Sequence, residues 1–370
     1  MPRTTPPAPS ERAARWHHAR RTARDNVLTA VARSRWAADL VLHGDALLKA
    51  WFGEAAREPG GLDFVVRPET WLPSEPRTTR MLDEVARSSA AVAAEHGVVR
   101  IDEANVRCEE TRVRGRKPGR RLTLRWHAEG LPPGAVHVDF AFTERLPVQP
   151  EFALLPGTGT DGATRIAAAT PELSLAWKLR RLLSDGWSPA KDLYDAVLLA
   201  EAVPLPVGLL MRTLVAAEPH WAGRRFVPEM VDGISVDAAE LRRKFPDTAA
   251  VLHERLKAAL APTLAESAAV PPTDGYRWRA VHLAPCIEQA REVLRGEGMD
   301  AVLALLEGAS MGMPESIVTL REAVGADRCG TADAAATLIE FHQRQAPDRY
   351  SWSNPADHVE KALFTLRETV

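Results

Sequence analysis

Seven positions carry the side chains, or the backbone freedom, that phosphate chemistry asks for: Gly44, Asp45, Asp63, Asp139, Lys178, Arg181 and Asp192. Moving a phosphoryl or nucleotidyl group demands little covalent work of a protein. It needs carboxylates to hold a divalent cation, cations and backbone N–H groups to hold the phosphates, and a group that orients the incoming hydroxyl. Asp63 lies in the run Gly61-Leu62-Asp63-Phe64-Val65-Val66, where Leu62, Phe64 and Val66 fall on one face of a strand and Asp63 with Val65 on the other. Asp139 lies in a second alternating run: Val138, Phe140 and Phe142 share one face, and His137, Asp139 and Ala141 share the other. Both acids therefore point away from the apolar side of their strand, as a ligand-binding acid must. So does a merely solvated one, which is the commoner case on half-exposed sheets.

The elements that must position these residues are legible around them. Leu40, Val41 and Leu42 read as a short buried strand, Gly44 as a sharp turn, and Ala46 to Phe52 as a helix. A glycine turn at a helix N-terminus suits phosphate, because unpaired N–H groups point outward there. A carboxylate on the neighbouring strand lets a divalent cation bridge the two. His43 flanks the turn and is given no role beyond proximity.

Thr170-Pro171-Glu172 starts a helix that runs to about Ser184, and Ser188-Pro189 starts the next by the same device. On the first, Lys178 lies at the edge of the stripe made by Leu175, Leu179 and Leu182, so it must snorkel outward or reach a cavity. Arg181 follows about a turn later, and Arg180 reads as surface. On the second helix the apolar face is centred on Leu193, Ala196, Val197 and Ala200; Asp192 borders that face, while Asp195 is turned further away and reads as helix surface. Tyr194 reads as a packing residue.

Composition bounds the rest. A chain of 370 residues holds two domains, or one core with a helical extension. A net charge of −2 means that nucleic-acid contacts must come from local patches. One patch is the basic turn from Arg112 to Arg121, equally readable as a solvated hairpin loop or as a grip on RNA phosphates; Arg15, Arg20, Arg21 and Arg24 form a weaker second. Cys108, Cys286 and Cys329 lack disulfide or metal spacing, which points to a reducing cytosol. The N-terminus has no apolar signal core, and no segment approaches a membrane span. The division expected is a disordered stretch over 1–13, an α/β core over 14–150, a linker with two site-completing helices over 151–205, and a helical domain over 206–370. Within it, 147–165 reads as connector.

The order of apolar run, glycine turn, helix and Asp-bearing strand, followed by Ala-Trp-Lys-Leu-Arg-Arg-Leu-Leu (176–183) and Lys-Asp-Leu-Tyr-Asp-Ala-Val-Leu-Leu-Ala-Glu (191–201), resembles the AbiEii/AbiGii toxin-type nucleotidyltransferases of bacteria. Their fold is that of the DNA polymerase β-like nucleotidyltransferases, and the resemblance covers roughly residues 25–202. It implies an α/β (α+β) fold: a nucleotidyltransferase core with a small mixed sheet, then a largely α-helical C-terminal domain, with a nucleotide in the cleft between the parts. It implies a Mg2+- or Mn2+-dependent transfer of a nucleoside monophosphate from a nucleoside triphosphate (NTP) to RNA, transfer RNA included, or to a protein hydroxyl. It further implies a toxin–antitoxin or abortive-infection setting in the cytoplasm, and a cognate antitoxin as partner.

By the same resemblance, Asp63 falls on the family's second motif acid and Asp139 on a third-strand acid, both metal ligands. Lys178 grips phosphates with Arg181, Gly44 and Asp45 form the nucleotide-binding turn, and Asp192 is a catalytic acid, as base or as partner of Lys178. Lys178→Ala is accordingly expected to abolish activity while leaving the thermal midpoint nearly unchanged.

The chain departs from the family pattern in four places. Gly44-Asp45 stands where Gly-Gly or Gly-Ser is usual, and Gly61 stands where the first acid of an Asp-x-Asp pair is usual. The loop before it is longer, and Lys191 replaces an arginine. Asp45 or Glu58 are the candidates to supply the lost carboxylate. Two other readings follow: a catalytically degenerate relative that binds nucleotide or RNA or regulates a partner, and a C-terminal half that serves as an interaction module for a partner protein.

Overall fold

The computed structural model describes residues 9–113, 117–157, 162–184, 188–269, 275–309, 311–345 and 355–366. It divides into two compact units, Met1–Thr170 and Pro171–Val370.

The first unit is built on one mixed sheet of eight strands: β1 (Leu40–His43), β2 (Leu62–Val66), β3 (Arg100–Ile101), β4 (Arg107–Val113), β5 (Lys117–His127), β6 (Gly134–Ala141), β7 (Glu151–Pro156) and β8 (Ala163–Ala168). Their order is β3-β5-β6-β2-β1-β8-β7, with β4 also pairing to β5. The β2/β6 and β1/β8 pairs are parallel, and the others are antiparallel. The alternation seen in the sequence is carried into burial: Leu62, Phe64 and Val66 of β2, Leu122, Leu124 and Trp126 of β5, and Val136, Val138 and Phe140 of β6 are all buried. The rings of Phe64 and Phe140 stack 5.8 Å apart at 17°. Burying a side chain of this size contributes roughly 1.5–3 kcal/mol, so this apolar face fixes which way the strands present their other residues.

Helices α1 (Pro9–Arg33) and α3 (Pro76–His96) pack on each other and against the sheet; α2 (Asp45–Phe52) follows β1 directly. Two expectations change here. Helix α1 begins at Pro9, inside the stretch read as disordered, and ends at Arg33, where Ser34 turns back to donate to the Val31 carbonyl at 2.8 Å. The stretch read as connector forms β7 and β8 instead, joined to β1 through Leu42 and Ala168. The alternation that marks a strand is weak there, because Phe152 and Leu154 of β7 stay exposed and only Leu155, Ile166 and Ala168 are buried. In the basic turn, residues 114–116 lie outside the described residues.

The second unit is helical along its described length, apart from an isolated bridge between Ser188 and Val236. It opens with α4 (Pro171–Ser184) and α5 (Ala190–Ala202), which pack against each other through stripes that include Leu175, Leu179 and Leu182 on α4 and Leu193, Ala196 and Ala200 on α5. These two helices thus belong to the same compact unit as the helices that follow them. No helix among the described residues is long and apolar enough to cross a membrane.

Candidate functional site

Strand pairing in the first unit places five chemically active side chains in one line. His43 on β1 is opposite Asp63 on β2, Asp63 is opposite Asp139 on β6, Asp139 is opposite Arg121 on β5, and Arg121 is opposite Glu109 on β4. Partners in register project from the same face, here the face away from the Phe64–Phe140 stack. Two carboxylates directly opposite one another repel, which costs stability unless a cation offsets it. Arg121 supplies that cation. Its Nε and Nη2 donate to Oδ1 and Oδ2 of Asp139 at 2.7 and 2.8 Å, a two-pronged contact. That bond, with the charges of Asp139, Asp63 and Glu109, raises the Arg121 pKa above its ordinary value against the opposing effect of burial.

The turn at Gly44 is shaped around Asp63. Gly44 has φ 82° and ψ −152°, a conformation open essentially to glycine alone. A Cβ on it would stand 2.7 Å from Oδ2 of Asp63. The absent side chain therefore lets the carboxylate lie against the start of α2. Next to it, Asp45 pairs with Arg57 (3.1 Å), so its charge does not stand uncompensated at the phosphate-friendly end of the helix.

Both candidates for the missing first acid are held in ion pairs in this structure. Asp45 is engaged by Arg57, and Glu58 by Lys49 at 3.1 Å. Burial alone would raise the Glu58 pKa, but Lys49, with Arg24 and Arg21, outweighs it and holds the carboxyl below its ordinary value. Position 61 itself has been closed. A Cβ built on Gly61 falls 2.6 Å from the backbone carbonyl oxygen of His137. The approach is pinned from α1, where Arg20 donates to the carbonyls of Pro59 (2.9 Å) and Gly60 (3.4 Å). Of the second basic patch, then, Arg20 grips the chain, and Arg24, desolvated by burial, lies beside Asp25 at 3.7 Å.

In the second unit, α4 and α5 build a separate cluster. Lys178 Nζ donates to Asp192 Oδ1 at 2.7 Å and to Asp195 Oδ2 at 2.8 Å, while Arg181 Nε approaches Asp192 Oδ2 at 3.2 Å. The side chains of Asp192 and Asp195 are 0% and 2% exposed. Asp195 is thus no helix-surface residue. At i and i+3 the two acids lie on one side of α5 and clasp the same ammonium, whereas a wheel drawn from apolar residues of α5 alone cannot register a polar partner on α4. Asp192 acts here as partner of Lys178. For Lys178→Ala the buried setting now points to a loss of stability: removing the lysine takes the shared ammonium from two buried acids and leaves Arg181 as the cation beside Asp192, which is expected to cost about 3–5 kcal/mol. Tyr194 stacks on Phe245 at 4.2 Å and 9°, the packing role expected of it.

Sequence reasoning missed two members, Asp195 and Arg121. The signal for Arg121 was its parity, since it alternates with Leu122 and Leu124 as Asp139 does with Val138 and Phe140; its partner depends on a register that no local pattern supplies.

Among the described residues no group of three or more His, Cys, Asp or Glu converges to hold a metal ion. Two carboxylates in register nevertheless suit one Mg2+, which commonly takes one or two protein carboxylates and fills its other positions with water and substrate phosphate. A profile of the family described as "Nucleotidyl transferase AbiEii toxin, Type IV TA system" matches residues 26–279, spanning the sheet row, the α4–α5 cluster and helices beyond them. No curated protein matches the chain.

Proposed function

We propose, because the chain belongs to the AbiEii nucleotidyl transferase toxin family, that it moves a nucleoside monophosphate from an NTP to a hydroxyl of RNA, transfer RNA foremost, or of a protein. The observation that carries this reading is the pair Asp63 and Asp139, in register on adjacent strands beside the Gly44 turn. The acceptor oxygen attacks the α-phosphorus, its proton passes to water, and the bond from the α-phosphorus to the bridging oxygen breaks so that pyrophosphate leaves. Asp63 and Asp139 are the residues to hold Mg2+ or Mn2+, which when bound supplies charge neutralisation at the reacting phosphate. The first-turn N–H groups of α2 behind Gly44 donate to phosphate oxygens. In the second unit Asp192 and Asp195 hold the Lys178 ammonium between α4 and α5, a role in that unit's stability. A cognate antitoxin and a cytoplasmic setting complete this reading.

The test is incubation with each labelled NTP, Mg2+ or Mn2+, and total RNA. Metal-dependent label on RNA is expected; label on protein would shift the acceptor to a protein hydroxyl. A second reading, a degenerate member that binds nucleotide or RNA or regulates a partner, is favoured by the closed position at Gly61 and by the engagement of Asp139 with Arg121. Saturable nucleotide binding with no pyrophosphate release under either metal would select it.

A further inference from the structure

The row across the sheet contains one cation that the reading above leaves unused. Arg121 is 44% exposed and holds Asp139, which is 17% exposed, by both carboxylate oxygens. A guanidinium fork that occupies both oxygens competes directly with a divalent cation, which needs at least one of them. The charges point the same way. Asp63 and Asp139 with Arg121 carry a net charge of −1, and one divalent ion turns this into +1, a sign that favours an incoming triphosphate. Displaced from Asp139, the guanidinium remains tethered beside the same spot, and its planar fork matches phosphate as well as it matches carboxylate. Past Arg121 the register continues to Glu109 of β4, itself exposed.

We infer that Arg121 is a built-in cation of this site: it occupies Asp139 in the free protein, yields that carboxylate to the divalent ion, and then binds the phosphates of the nucleotide. The inference rests on the nucleotidyl-transfer reading of the same row, and deepens it by making metal and nucleotide binding interdependent through one side chain. Reciprocity requires that each ligand strengthen the other by the same factor, and that this factor shrink when Arg121 is removed.

The test uses the full chain and its Arg121→Ala and Arg121→Lys variants, each checked for an unchanged unfolding midpoint. Mn2+ alone is titrated by electron paramagnetic resonance, and a non-hydrolysable NTP analogue is then titrated at saturating Mn2+. Arg121→Ala is expected to bind Mn2+ alone about two- to fivefold tighter, the span that loss of an exposed ion pair allows. It is expected to bind the analogue about tenfold more weakly, the effect of one lost charge-assisted contact. Arg121→Lys, which keeps the charge but not the fork, falls between. Mn2+ affinity unchanged or weakened in Arg121→Ala, with the wild type binding both ligands, would overturn the inference and leave the parent reading standing. A wild type that binds neither Mn2+ nor the analogue would overturn both.

Discussion

Each unit gathers acids around a cation, but at different depths, and depth separates their roles. On the sheet, Asp139 and Arg121 meet where solvent reaches both, so the pair contributes only ~0–1 kcal/mol and its partners can be exchanged for a ligand. Between α4 and α5, Lys178 is 15% exposed and its two acids are essentially sealed. There the charges cannot be separated without leaving one of them dry. The first arrangement is built to be rearranged and the second to stay closed, although both lie within segments that the family profile matches.

The sharpest way to break that contrast is at the buried cluster. Asp195→Ala or Lys178→Ala is expected to cost about 3–5 kcal/mol in chemical denaturation; a loss below about 1 kcal/mol would mean that the cluster is solvated. Next comes Gly61→Asp, which restores the family's missing acid. With the His137 carbonyl 2.6 Å from the new Cβ, it is expected to cost about 1–3 kcal/mol, as overpacking does, and to bring no gain in transfer. Stability matched by higher activity would show that the position is open after all. Gly44→Ala, at φ 82° and pressed against Asp63, is expected to cost about 1–2 kcal/mol and to weaken nucleotide binding.

A smaller effect should separate the units by pH. His282, on the helix Gly275–His282, is buried, and burial, aided by the charge of Arg212, pushes its pKa from 6.5 to about 4. The folded state then binds fewer protons than the unfolded state below pH 6.5, so the contribution is fully present above that value and is lost as the pH falls toward 4. About 1 kcal/mol should disappear between pH 7 and 5.5. His282→Gln should flatten this slope in denaturation curves taken across the range, and an unchanged slope would assign it to other groups.

What could be read from the sequence follows from what is local. The alternation in Leu62–Val66 and around Asp139, the glycine at position 44, and the Pro171 start of α4 are all decided within a few residues, and each is found as expected. The pairing of Asp63 with Asp139 depends on parallel β2 and β6, strands far apart in the chain, and only the family resemblance joined them. Arg121 read as one arginine in a basic turn because its partner lies on the next strand. Asp195 read as surface because its partner lies on another helix. Gly61 read as a lost acid, whereas the His137 carbonyl shows that the backbone has closed over its place.

On the proposed reading, the sheet row does the chemistry while the α4–α5 cluster holds its unit together. Asp63→Asn tests it most directly, with label transfer from NTP and the unfolding midpoint measured on the same preparation. Transfer is expected to disappear while stability changes by less than about 1 kcal/mol. Transfer retained at the wild-type level by a folded Asp63→Asn protein would contradict it.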